Sequence, residues 1–243
     1  MHAPALPPVF RSSRLEPPAG AFAAAEARAA TGAEAGTLLW VDRADRLDVA
    51  LVLEPELPAR RCAPVVYVAL LGLGDALGAL LPPQVPVTFG WPDRLELDGT
   101  GAGGARFRIG EVGGDGVPLW LVVGVELAVG AAGDPRAAPR RTSVQEVGAG
   151  EVSVPLLIEA FARHVLTWLH TFETEGFAPV RSAYLSQARA YREELALEVV
   201  GARHTGRFAG LTDDGDLILR RPAGIETVSL AAALALSDSQ SDG

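Results

Sequence analysis

"VTFGWPDRLELDGTGAGG", residues 87–104, is the stretch on which the fold turns. Val87 to Phe89 favours a strand, Gly90-Trp91-Pro92-Asp93 interrupts it, and Arg94 to Leu97 resumes as a second strand ending at Asp98-Gly99. A strand broken by tryptophan and proline is either plain packing or the floor of a ligand site. The glycines that follow, Gly99-Thr100-Gly101-Ala102-Gly103-Gly104, satisfy G-x-G-x-x-G, but a dinucleotide site needs the third glycine to open a helix. Ala105-Arg106-Phe107-Arg108-Ile109 instead alternates like a strand, so the segment reads as a glycine-rich hairpin.

Working outward, Ala63 to Leu81 is nearly all apolar over almost the length of a membrane span. Asp75 in its middle, glycines at 72, 74 and 78, and the stop at Pro82-Pro83 predict instead a helix packed closely on a sheet. The first twenty residues look irregular, and Phe22 to Ala30 predicts an alanine-rich helix ended by Gly32. Strands are expected at 37–41, 49–53, 85–89, 94–97, 105–112 and 119–129, largely hairpin-connected, with 42–48 joining the first two. A loop over 131–150 precedes a long helix capped by Ser153, with Leu157, Phe161, Val165, Trp168 and Phe172 at helical spacing, and a second helix over about 180–194. Short strands at 196–200, 206–211, 216–220 and 225–230, separated by turns, predict a small antiparallel barrel. The expected organisation is an α+β domain over 1–194, with a mixed, largely antiparallel sheet covered by helices, a barrel over 195–235 and a disordered tail over 236–243.

The chain has 243 residues and a net charge of -9. It therefore offers no general attraction to nucleic acid or to an anionic membrane surface. One cysteine, Cys62, cannot form an internal disulfide, and no amino-terminal signal pattern stands out, so a cytoplasmic location is expected. All 21 basic residues are arginine. The chain has no lysine and no asparagine.

Few residues stand out as chemistry. His164 and His170, six apart on the long helix, lie on separate faces and cannot share a metal, and no metal site is expected. Cys62 beside Arg60 and Arg61 reads as a small buried apolar residue rather than a nucleophile. No serine lies in a G-x-S-x-G turn.

The Trp-Pro break, the hairpin, "PLWLVVGVELAV" (118–129), "TWLHTFETEGFAPV" (167–180) and "GRFAGLTDDGDLILRRPAGIETVSL" (206–230), in that order, resemble the biotin protein ligases and their lipoate ligase relatives. The resemblance runs from about Gly36 to Leu230. It implies a ligase-type domain with an SH3-like carboxyl-terminal barrel. It also implies ATP-dependent activation, with Mg2+, of biotin or a lipoate-like acid as an acyl-adenylate, and transfer to a lysine of a biotinyl or lipoyl carrier domain. Two anions then share one pocket, which demands fixed positive charge and backbone donors.

By that resemblance Trp91, Pro92, Asp93, Arg94, Gly101 and Gly104 fall on ligand-binding positions, as do Arg43 and Arg46, the cations of the connection 42–48. That connection lacks the family's Gly- and Arg-rich ligand loop. The family motif Lys-Trp-Pro-Asn-Asp appears as Gly90-Trp91-Pro92-Asp93-Arg94, and the "vGiGiN"-like signature as Val123-Gly124-Val125-Glu126-Leu127. The catalytic lysine falls on Gly101, and no shift of alignment can restore it in a chain without lysine.

Two readings follow. In the first, Arg106 and Arg108 replace the lysine in a divergent ligase, helped by Arg94. In the second, those arginines are the solvated face of a strand, and the protein binds a small carboxylate or a carrier domain without catalysis. Guanidinium groups pointing into the space beside Trp91 favour the first; their absence there favours the second. The apolar strand 119–129 would pair two subunits into a homodimer if it lay at a sheet edge.

Overall fold

The computed structural model describes residues 3–131 and 141–241, with side chains as far as 235. Seven strands form the main sheet: β1 (Arg11–Leu15), β2 (Thr37–Val41), β3 (Arg46–Leu53), β4 (Val87–Gly90), β5 (Arg94–Leu97), β6 (Thr100–Ile109) and β7 (Leu121–Ala128). Their order is β1-β2-β3-β7-β6-β5-β4, with β1 parallel to β2 and every other pair antiparallel. The mixed, largely antiparallel sheet expected from the sequence is present, with one more strand than the hydrophobic pattern revealed. β1 was hidden because "RSSRL" is mostly exposed and polar at the sheet edge.

Helix α2 (Val65–Leu80) is the buried apolar segment; 12 of its 16 residues are buried, Tyr67, Leu70 and Leu71 completely. By length and composition the stretch Ala59–Leu80 is apolar enough to cross a membrane, yet 78% of its most apolar 18-residue window is buried inside the fold. A Cβ on Gly72 would lie 2.8 Å from the Val165 Cα, so the glycine lets α3 (Val154–Glu175) pack directly on α2. Asp75 accepts a 2.7 Å hydrogen bond from the Trp168 indole of α3, which satisfies the one charge in this apolar helix. Ser153 stands at the N-cap of α3, but its side chain makes no cap bond there.

The sheet thus has two unlike faces. Leu38, Val49, Leu51, Leu95, Leu97, Val123 and Val125 point to α2 and α3. Leu39, Val41, Ala50, Val52 and Val122 form a smaller cluster under α1 (Ala21–Ala30), with Phe22 and Ala25. Helix α4 (Phe177–Gln187) is shorter than expected, and the segment after it crosses the free edge of β4, where the Arg189 amide donates to the Phe89 carbonyl at 2.7 Å.

β8 (Glu194–Val199), β9 (Ala202–Leu211), β10 (Leu217–Arg221) and β11 (Gly224–Val228) form a second sheet in the order β11-β10-β9-β8. It is a four-stranded antiparallel meander, where the sequence suggested a small antiparallel barrel; β8 and β11 pair with no further strand among the described residues. Helix α5 (Leu230–Ser241) follows, entering the stretch expected to be a disordered tail from 236; residues 242–243, like 132–140 of the loop expected over 131–150, lie outside those described. The strand proposed for subunit pairing, now β7, lies between β3 and β6 and has no free edge.

Candidate ligand site

The break in "VTFGWPD" is the turn between β4 and β5, with Gly90 opposite Arg94. Trp91 there faces the α2 side of the sheet. Its indole N–H donates to the Tyr67 hydroxyl at 2.9 Å, and that hydroxyl donates to the Gly215 carbonyl in the small sheet's β9–β10 turn at 2.7 Å. Tyr67 is fully buried against Tyr184 and Phe177, and burial holds its phenol neutral by raising its pKa well above the usual value. Trp91 therefore fastens the two sheets together, and its polar edge is already engaged.

The arginines lie on the opposite face. Arg106 of β6 forms an ion pair with Glu126 of β7 at 3.0 Å and stacks over the Phe22 ring at 5.9 Å. Arg46 reaches the same Glu126 at 3.4 Å. Arg108 pairs with Glu26 of α1 at 3.2 Å. Arg43 grips Asp45 through two hydrogen bonds of 2.8 and 2.7 Å, which lowers the carboxyl pKa of Asp45 and raises that of the guanidinium. Arg46 is not a loop residue as the sequence reading had it: β3 begins there, because Arg46 pairs with Ala128, and only residues 42–45 connect β2 to β3.

Between these cations stands Asp48, 8% exposed, whose carboxylate accepts the Ala21 amide at the start of α1 at 3.2 and 3.3 Å. Burial raises its pKa; the Ala21 bond opposes that rise. Phe22 lies across Gly124, where an added Cβ would sit 2.8 Å from its Cδ2. The glycine of the signature strand is thus covered by the chain's own aromatic ring, and Glu126 stands two residues later on the same face of the strand.

Across β5 the floor is made of glycine. Gly104 pairs with both Arg94 and Glu126, and a Cβ there would strike the Asp93 carbonyl at 2.4 Å, so β5 and β6 meet closely only because the residue is glycine. Gly101 differs: nothing lies within 4 Å of an added Cβ, so the place where the resemblance puts lysine has room for a side chain. Glu96, opposite Gly101, is 6% exposed and held by Arg189 at 2.6 Å. Asp93 is buried. Arg94 lies along Gly90 beside Glu96, exposed, its side chain in no ion pair or hydrogen bond among the described residues.

Residues 6–186 match the model of the biotin/lipoate A/B protein ligase family. The chain is 34% identical over 199 residues to a protein of Paracoccus denitrificans named biotin--[acetyl-CoA-carboxylase] ligase, covering 79% of this chain and 81% of that one. This chain belongs to the biotin/lipoate A/B protein ligase family. A biotin protein ligase-like protein of unknown function from Silicibacter sp. TM1040 has a similar structure, with a TM-score of 0.86 at 29% identity over 95% of this chain and 99% of that one. The biotin protein ligase of Aquifex aeolicus in complex with biotin and ATP shares the fold, with a TM-score of 0.74 at 18% identity over 92% and 97% of the two chains.

Within that family frame, the structure brings together Arg46, Arg106, Gly104, Arg94 and Gly101 on one face and separates them from Trp91. Arg106 and Arg108 are held on the α1 side, at Glu126 and Glu26, away from the Trp91 indole on Tyr67. Phe22, Asp48 and Glu126, which close this face, were not singled out as site residues. Asp48 carried a usable signal, since a charge one place before an apolar strand run, in register with it, must point to the opposite face.

Cys62 is 2% exposed, its pKa pushed up to about 11 by burial, as befits a packing residue. His164 and His170 occur in no metal-binding group among the described residues, and His204 pairs with Glu226 at 3.0 Å.

Proposed function

We propose that this protein is a ligase-fold binding module. It holds a small carboxylic acid of the biotin or lipoate type, free or attached to a carrier domain, without activating it. The observation that carries this reading is the internal pairing of the face where adenylation would occur: Arg106 and Arg46 on Glu126, Arg108 on Glu26, Arg43 on Asp45. A triphosphate does not fit such a face. It would meet Asp48, Glu126 and Glu96 with Arg94 as the cation left over, and each carboxylate near a phosphate costs on the order of 1 to 4 kcal/mol at 4 Å, depending on local polarity. A monocarboxylate, by contrast, needs one guanidinium over a flat floor, and Arg94 over Gly90 and Gly104 supplies that.

The second reading is acyl-adenylate formation with ATP, Mg2+ and Arg106 or Arg108 in place of lysine; the Paracoccus relative's name favours it. A pyrophosphate-exchange assay with ATP and biotin, lipoate or octanoate separates the two. We expect no exchange from the natural chain, none from Gly101→Lys, whose side chain has room, and saturable binding of at least one acid by calorimetry. Exchange by the natural chain with any acid sinks the non-catalytic reading. A division at 194/195 and a cytoplasmic setting, suited to a lone buried thiol, belong to the same proposal.

A further inference from the structure

On the other side of the sheet, away from Arg94 and Arg106, the far ends of β3 and β7 meet the start of α2 and the end of α3 around a cavity of about 360 Å³. That volume falls within the range of small-molecule sites, roughly 300 to 1,000 Å³. Its floor is apolar and mostly buried: Val65, Leu121, Leu169 and the Cys62 thiol, with Leu53 and Phe172 half-buried at the sides. Its mouth carries three exposed carboxylates, Glu54, Glu56 and Glu173. None of the three makes an ion pair or hydrogen bond among the described residues, and no arginine or histidine lines the cavity. Three like charges around an oily floor repel one another, and a cation between them relieves that repulsion while its apolar part displaces water.

We propose that this cavity binds an amphiphilic cation, with an alkyl or aryl group on the Leu121–Leu169 floor and an ammonium group among Glu54, Glu56 and Glu173. The site is separate from the carboxylate-binding face, so its failure leaves that reading standing. Neutral and anionic chains of the same length bind less well, because they gain the apolar contact without the charge.

Calorimetry with butylamine, hexylamine and octylamine, each against the matching alcohol, tests the charge and the floor together. We expect affinity to rise about three- to fourfold per methylene added, the amine to bind at least tenfold tighter than the alcohol, and added salt to weaken the amine alone. The double variant Glu56→Gln with Glu173→Gln, which alters exposed side chains only, is expected to lose most of the preference for amine and to keep the dependence on chain length. Location is read from Cys62, the chain's one cysteine: octylamine is expected to slow its modification by a thiol reagent in the denaturant-free protein. No saturable amine binding, equal binding of amine and alcohol, or binding that leaves Cys62 modification unchanged each overturns the proposal.

Discussion

The two faces of the seven-stranded sheet are built on opposite principles. Under α2 and α3 the sheet is apolar, and two polar groups of α2 are held by fixed partners, Tyr67 on Gly215 and Asp75 on Trp168, while the Tyr184 hydroxyl of α4 is buried without a hydrogen-bond partner among the described residues. Under and beside α1 the sheet carries Arg46 and Arg106 paired with Glu126, Glu96 paired with Arg189, and Asp48 held by the Ala21 amide. The first face must be kept for the fold to exist. The second would be free to change chemistry, and here it keeps the outline of a family ligand face while its charges cancel internally. Charge cancellation costs the fold little, because ion pairs at half-exposed positions contribute only about 0 to 1 kcal/mol.

Substitutions break this contrast in a set order. Leu71→Ala, in the fully buried heart of α2, is expected to lower stability by about 2 to 5 kcal/mol in chemical denaturation; a loss under 1 kcal/mol would show that the α2 face is not the stability core. Tyr67→Phe leaves both the Trp91 indole and the Gly215 carbonyl without their partner, and a loss of about 1 to 3 kcal/mol is expected. Arg108→Ala, which removes a surface pair with Glu26, is expected to cost under about 1 kcal/mol and to leave acid binding unchanged. Weaker acid binding in that variant would put Arg108 in the site.

Asp48 sharpens the contrast through pH. Burial raises its folded-state pKa above the ordinary 3.8, so the folded chain holds that proton more tightly than the unfolded one. The stabilising contribution is present in full below the unfolded value and is lost as pH rises through the folded one. Asp48→Asn removes this titration; relative to the variant, the natural chain is expected to lose stability as pH climbs from 3.8 toward neutrality. A difference that stays flat across that range would mean the carboxylate is not desolvated by its place under α1.

Much of the fold was legible because strand and helix periods carried it. The apolar run at 63–81 with its glycines announced a buried helix, and the helical spacing of Leu157, Phe161 and Val165 announced its partner. β1 was not legible, since an exposed edge strand needs no apolar alternation, and β6 began five residues early because glycines 101, 103 and 104 hide a strand pattern. Whether the small sheet closes was not legible for another reason: closure depends on whether its first and last strands meet, which no local pattern encodes. The candidate site was legible in its absences, the missing lysine above all. Its closure was not, because Phe22 on Gly124 and Arg106 on Glu126 join residues that only the folded sheet makes neighbours.

The pair of hydrogen bonds that runs from Trp91 through Tyr67 to Gly215 also sets an order of events during synthesis. Tyr67 and Gly215 are 148 residues apart in the chain. While the ribosome is still making the small sheet, the larger unit already carries a phenol destined for burial with no acceptor to receive its proton. Its last polar satisfaction arrives only when translation is nearly finished. A chain stopped short of residue 215 therefore exposes a defined fault at the foot of α2, visible to any protease or chaperone that surveys nascent proteins.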